Sequence, residues 1–219
     1  MLESLFNPDN PAMVFLNKLI DLVTISIVWT IFCIPIVTIG PSCAALYYAV
    51  VKSIRRERGH IVREFWTAFK SNFKHGLIFE LIWLAFAFMM FVTDVPLFLT
   101  FIDTGKTQDT IMLVLFVIKV LLLIGIACWI YPIMSRFDQS LWKLSQTSLI
   151  VMVQNLPRTI FSIILVTIIV LLLVSEPLYL VFLPGLMVLL LSFLTEPVLK
   201  QMCETAEGTS DNSDEWYLE

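Results

Sequence analysis

TIMLVLFVIKVLLLIGIACWIY, residues 110–131, decides the fold class of this chain, because it holds a single charge, Lys119. A second stretch, TIFSIILVTIIVLLLVS at residues 159–175, holds none. A hydrocarbon core about 30 Å thick is crossed by about 20 helical residues, so both stretches have the length and composition of membrane-spanning helices. They predict that lipid surrounds much of the chain.

The overall composition points the same way. Hydrophobic residues make up 58% of the 219 and charged residues 15%, with a mean hydropathy of +0.88. Ordinary globular chains are roughly 45–50% apolar and roughly 25% charged. A water-soluble fold of this composition lacks the polar groups to cover its surface. The composition therefore excludes a soluble enzyme, a disordered regulator and a nucleic-acid-binding protein, and makes membrane lipid the first expected partner.

Five runs are long enough, or nearly so, to cross a bilayer; they lie at about 13–39, 76–101, 110–131, 159–175 and 178–195. Backbone in lipid must pair its own polar groups, which leaves helices or closed barrels. Barrel strands alternate polar and apolar residues over about ten positions, whereas these runs are apolar all round. The sequence thus predicts an all-α, polytopic membrane helix bundle of about five transmembrane helices with amphipathic cytoplasmic helices, in one domain over residues 1–200.

Charge separates this body from the C-terminal end. Residues 1–200 carry all 14 Lys and Arg and 12 of the 18 Asp and Glu, while residues 201–219 carry the other six acids and no base. Acidic segments that are poor in apolar residues stay unfolded. We therefore predict a disordered, solubilising tail over residues 201–219, with docking of a partner as the alternative.

The distribution of basic residues predicts the orientation. Seven lie between the first two runs, three between the third and fourth, and Lys200 follows the fifth, whereas Lys106 is alone on the other side. Loops rich in Lys and Arg stay in the cytoplasm. The expected topology is multi-pass, with the N-terminus outside and the C-terminus in the cytoplasm.

The segment between the first two runs contains an amphipathic stretch, IVREFWTAFKSNFK at residues 61–74. Its apolar side chains share one helical face, as in a helix that lies at a membrane surface or docks a cytoplasmic partner. The arginines just before it form a cluster that suits anionic lipid. The candidate partner- or lipid-binding patch comprises Arg55, Arg56, Arg58, Arg63, Phe65, Trp66, Phe69, Lys70 and Lys74.

Ionisable residues within the runs form the second candidate set, Lys18, Asp21, Asp94 and Lys119. Charges in a membrane are costly and tend to pair or to line polar paths. The predicted depths of Asp21 and Lys119 are similar, so they are expected to form an ion pair that fixes the bundle, with a Lys18–Asp21 pair on one helix as the alternative. Glu80, Glu176 and Glu196 are nearer the ends of the runs and are expected to reach headgroups or water.

The sequence shows no motif for catalysis or for cofactor binding. Its four cysteines and two histidines lack the clustered spacing of zinc ligands. Phosphate-binding, dinucleotide-binding, zinc-protease and hydrolase motifs are also missing. We therefore expect no catalytic residue, no metal and no cofactor, and predict a protein that is not an enzyme.

Several strings resemble the YesL-like family of small bacterial integral membrane proteins: NPDNP at 7–11, FLNKL at 15–19, IPIVTIGP at 34–41, ALYYA at 45–49, FWTAFKSNFK at 65–74 and LPRT at 156–159. They occur in order over about the first 160 residues. The family has no established reaction, and its members are typically encoded beside sugar importers of the ATP-binding-cassette (ABC) type. The resemblance implies a bacterial cell membrane protein and supplies no catalytic residues.

Two functions are weighed on this basis. The first is a non-enzymatic accessory or assembly subunit of an oligosaccharide ABC importer, with the permease subunits and their ATPase as partners. The second is an independent small transporter or channel, in which Lys18, Asp21 and Lys119 line the path. The sequence does not give the sugar, the partner stoichiometry or the oligomeric state.

Overall fold

The computed structural model of the protein describes residues 11–104, 107–137 and 139–206, and within them the chain forms seven α-helices and no strand. In chain order, α1 is Pro11–Phe32, α2 is Ile39–Ala49, α3 is Ile61–Thr104, α4 is Thr107–Met134, α5 is Leu141–Gln154, α6 is Leu156–Ser175 and α7 is Leu183–Ala206. Short 3-10 turns, Ile36–Thr38 and Pro177–Val181, precede α2 and α7, and a π-helical segment, Val50–Arg55, continues α2. The predicted all-α membrane class is confirmed.

Six helical segments of the described residues are long and apolar enough to cross a membrane, one more than the sequence predicts. The addition is Ile36–Arg55, most of which was predicted to be a cytoplasmic link. In its most apolar stretch 61% of the residues are buried inside the protein, against 17% for Ala12–Phe32. Because protein rather than lipid surrounds most of this segment, it tolerates the polar residues that hid it among the predicted links.

Helix α3 contains the amphipathic stretch that was predicted to be a separate surface helix. At 1.5 Å per residue its 44 residues extend about 66 Å, roughly twice the thickness of a hydrocarbon core. Residues 61–74 are its first third. Phe65 and Phe69 are buried, and their ring centroids lie 5.5 and 4.9 Å from that of Phe32 in α1. Part of the apolar face predicted for lipid or a partner is thus used inside the protein.

Two glycines allow α2 and α3 to pack closely. A Cβ atom on Gly40 would lie 2.5 Å from the carbonyl oxygen of Gly76, and one on Gly76 would lie 2.7 Å from the backbone nitrogen of Pro41. Small residues at helix crossings let backbones approach in this way. The contact sets the position of α2, and with it the side chains of the candidate site, against α3.

A tight turn joins the π-helical segment to α3. Glu57 and Gly59 have positive φ values of 56° and 79°, a backbone conformation that suits glycine best. After this turn α3 returns along α2, and an ion pair of 2.7 Å joins Lys52 to Glu64. The turn therefore brings the predicted arginine cluster to the start of α3.

The C-terminal boundary differs from the predicted one. Helix α7 continues through Ala206, six residues into the segment 201–219 that was predicted to be a tail. Residues 207–219, where the remainder of that prediction falls, lie outside the described residues.

Candidate functional site

A buried ion pair joins the end of α4 to α7. Nη2 of Arg136 lies 2.6 Å from both carboxylate oxygens of Glu196, and the two side chains are only 1% and 4% exposed. The Tyr47 hydroxyl of α2 donates to Glu196 Oε1 at 2.7 Å and bonds to Thr195 Oγ1 at 2.8 Å. We call these four residues the Arg136 cluster. Buried charges are tolerated when they are paired and hydrogen-bonded, and both conditions hold here.

The expectation that acidic residues near the run ends reach headgroups or water is wrong for two of the three. Glu196 and Glu80 are each 3% exposed, whereas Glu176 is exposed. Glu80 lies against the Gly40 backbone, and the Tyr131 hydroxyl donates to it at 3.4 Å. The close approach of α2 to α3 covers Glu80, which sequence depth alone does not predict.

A second group of polar contacts surrounds the π-helical segment. Arg55 donates to the Ser192 carbonyl oxygen at 2.6 Å, and its guanidinium lies 4.8 Å from the Phe193 ring centroid. Lys52 donates to Tyr48 and Glu64. π-Helical turns often occur at functional sites; here the segment directs one base into α7 and another into α3. Arg55 therefore links the π-helical segment to α7 and is not part of a free basic surface.

The intramembrane charges pair differently from the main expectation. Lys119 contacts Asp94 at 2.6 Å across the α3–α4 hairpin, with side-chain exposures of 45% and 10% respectively. Lys18 contacts Glu57 in the turn before α3. Asp21 is half-buried, and the structure brings it to neither of its predicted partners, Lys18 or Lys119. Lys119 therefore pairs with Asp94 rather than with Asp21, the partner expected from the sequence.

The rest of the predicted patch divides between the core and the surface. Phe65 and Phe69 belong to the core, Arg56 is half-buried and Arg58 is exposed. The remaining predicted members, together with two apolar neighbours, form one exposed surface on α3. This basic–aromatic stripe consists of Val62, Arg63, Trp66, Lys70, Phe73 and Lys74.

The stripe covers one face of the helix. With 3.6 residues per turn its members fall within about 120° of the circumference. Trp66 and Phe73 are 44% and 40% exposed, and the Lys70 ammonium lies 4.7 Å from the Trp66 ring centroid, where a cation–π interaction holds it. The surface therefore combines flat aromatic area with positive charge.

An apolar cavity of about 330 Å³ lies between α1, α2, α3, α4, α6 and α7. Trp29, Trp83 and aliphatic side chains of α4, α6 and α7 form most of its wall. Tyr47 of the Arg136 cluster and Tyr131 lie at its lining as well, but their hydroxyls are bonded to Glu196 and Glu80. The cavity thus has few polar groups, and its two phenols are already engaged.

Residues 22–94 match a protein-family model described as "Protein of unknown function, DUF624". This DUF624 segment is one third of the chain and extends from α1 through α2 to Asp94 in α3. No curated protein and no solved structure matches the chain. The match is to an uncharacterised family, so the more specific YesL-like resemblance stays a prediction.

The DUF624 segment contributes Tyr47, Arg55 and the whole stripe, whereas Arg136, Thr195 and Glu196 lie outside it. Sequence reasoning missed the Arg136 cluster because its members are up to 149 residues apart. The available signal was a lone Glu in an apolar stretch of α7 and an Arg directly after α4, which need each other if both are buried. The cluster joins α2, the end of α4 and α7 through these contacts.

Proposed function

We propose that the protein is a non-enzymatic membrane subunit that assembles with a carbohydrate importer of the ABC type and docks through the basic–aromatic stripe. The observation that carries the proposal is the stripe itself. Trp and Arg are the residues most enriched where binding energy concentrates in interfaces. On this helix Trp66 and Arg63 are exposed, although Phe65 and Phe69 beside them are buried.

The organisation of the interior also supports a subunit rather than a conduit. Each of the two groups of polar contacts centres on an ion pair between helical segments. The pairs are Arg136–Glu196 and Lys52–Glu64. The cavity between the helices is apolar, and a sugar there would leave most of its hydroxyls without hydrogen bonds, which is costly. The alternative function, an independent transporter or channel for polar substrates, has correspondingly less support.

The carbohydrate part of the proposal comes from the resemblance to the YesL-like family. The partner is accordingly proposed to be the permease pair of an oligosaccharide importer or its ATPase. The three positive charges of the stripe favour a partner surface that carries acidic residues around an apolar centre, since complementary charge speeds encounter and selects the partner.

The proposed location is the bacterial cell membrane, with the turn before α3, residues 135–140 and the C-terminus on the cytoplasmic side, where the bases are concentrated. The Lys18–Glu57 contact supports a cytoplasmic N-terminus as well, because it joins the first half of α1 to that basic turn. This proposal is opposite to the sequence prediction and corresponds to an even number of crossings. Alkaline phosphatase fused at the N-terminus should be inactive, and a fluorescent protein there should fold; active phosphatase would restore the original prediction.

The docking proposal is tested by co-purification from native membranes. The full chain is tagged, and recovery of ABC-type permease subunits and their ATPase is quantified. The double variant Trp66→Ala/Lys70→Glu should lose these partners without loss of expression. A matched control, Trp142→Ala/Lys143→Glu, changes an exposed Trp and Lys on α5 and should retain them.

Two results would count against the proposal. Equal recovery of the importer with both double variants would remove the role of the stripe. Sugar uptake into liposomes that contain only the purified chain would favour the transporter alternative.

A further inference from the structure

The cavity between the helices is long and narrow. Its lining residues on α4 run from Val120 to Pro132, which is about 18 Å at 1.5 Å per residue. A volume of 330 Å³ spread over that length leaves a narrow cross-section. An apolar cavity of about 150 Å³ takes up a six-carbon benzene ring, so this one has room for roughly a dozen carbon atoms. An extended chain fits such a space better than a compact ring system.

The chemistry of the wall excludes polar occupants. Aliphatic side chains such as Leu123, Val166 and Val188 form much of it, and Trp29 and Trp83 add aromatic surface. A bound water needs two to four polar partners, and a cavity lined in this way stays dry or takes an apolar guest. The cavity therefore selects hydrocarbon.

The surroundings supply that hydrocarbon. The cavity-lining Val120 and Leu123 bracket Leu121 and Leu122 on α4, which are 42% and 47% exposed on the apolar outer surface. On α6, Val166 lines the cavity while Ile164 and Ile168 are exposed. The wall of the cavity is thus one helix thick on the sides that face lipid, and an empty cavity of this size would forfeit the packing contacts of its lining.

We propose that the cavity is a lipid site that holds one acyl chain of a bilayer phospholipid. The chain lies along α4, with its end among Val120, Leu123 and Val166. Tyr47 and Tyr131 also line the site, and their hydroxyls are bonded to Glu196 and Glu80. This site is separate from the stripe, and it holds whether or not the protein docks an importer.

Photolabelling of the full chain tests the proposal. The protein is reconstituted in phosphatidylcholine vesicles that carry a diazirine in mid-chain, irradiated and digested, and adducts are located by mass spectrometry. Adducts are expected on the cavity residue Trp83 as well as on Phe88, which is 69% exposed and reports ordinary lipid contact. Labelling of Phe88 without Trp83 or any other cavity residue would overturn the proposal.

Filling the cavity provides the matched comparison. Val166→Phe should abolish the Trp83 adduct and leave the Phe88 adduct intact, whereas Leu171→Phe, on the exposed side of α6, should change neither. Persistence of the Trp83 adduct in a folded Val166→Phe protein would count against an acyl chain in the cavity. If Val166→Phe does not fold, the unaltered protein still tests the proposal. Labelling of Trp83 together with Phe88 supports an acyl chain in the cavity, and labelling of Phe88 without any cavity residue overturns it.

Discussion

Replacing Arg136 by methionine removes one half of the buried ion pair and leaves the Glu196 carboxylate without its guanidinium. Glu196 is 3% exposed, so water does not reach it readily. Losing one partner of a buried pair costs about 3–5 kcal/mol, because the remaining charge stays desolvated. In a protein of this size each kcal/mol shifts the melting temperature by about 2–4 °C, so Arg136→Met should lower it by about 6–20 °C.

The paired change should recover most of that loss. In Arg136→Met/Glu196→Met both charges are gone, and apolar replacements of similar volume are often neutral or stabilising. The Tyr47 hydroxyl then keeps Thr195 as its partner. The recovery separates loss of a charge pair from simple damage to the packing of α4 against α7.

The assay is thermal unfolding of the detergent-solubilised protein, followed by the loss of its monodisperse chromatographic peak after heating. Lys143→Met, on the exposed side of α5, serves as the control and should shift the midpoint by no more than about 2 °C. A melting temperature of Arg136→Met equal to that of the unaltered protein would refute the reasoning. So would a double variant that is as unstable as the single one.

Two further predictions concern helix contacts. Asp94→Lys should lower the melting temperature by placing two ammonium groups together, and Asp94→Lys/Lys119→Asp should restore it. Charge reversal of Lys119 should not rescue charge reversal of Asp21. Rescue of the Asp21 variant would show that the wrong pair was assigned. Gly40→Ala should reduce the yield of folded protein sharply, because its Cβ would meet backbone at 2.5 Å. The control is Gly125→Ala, where the nearest neighbour of the added Cβ is the movable Met152 side chain at 3.0 Å. Equal yields of the two variants would contradict the close α2–α3 approach.

The sequence was sufficient for the features that depend on length and composition alone. Runs such as 110–131 and 159–175 are apolar over a whole membrane thickness, so their helices and class could be predicted. The segment 36–55 could not be assigned in the same way. It contains Gly40, Pro41 and Ser42 near its start and ends in bases, because protein rather than lipid surrounds it. Hydropathy measures fitness for lipid and underrates a helix buried within the bundle.

The candidate site shows the corresponding limit for charges. Depth along a helix follows from residue counting, which is why Asp21 and Lys119 were expected near one level of the membrane. The partner depends on helix rotation and on which helices are neighbours. Neither follows from one sequence, so Asp21 was preferred to Asp94, and Arg136 and Glu196, 60 residues apart, were assigned separately to a link and to a run end.

The polar contacts also bear on the extent of the folding unit. The DUF624 segment, residues 22–94, contains α2 in full, but the hydrogen bonds of its buried Tyr47 side chain end on Thr195 and Glu196 in α7. Arg55 likewise donates to Ser192. Isolated from α4 and α7, the segment would leave these side chains without their partners, and a buried polar group without a hydrogen bond is costly. The matched segment is therefore the core of a larger cooperative bundle. Because α7 bonds to α2 and α2 packs against α3, the position of the stripe on α3 also depends on α7.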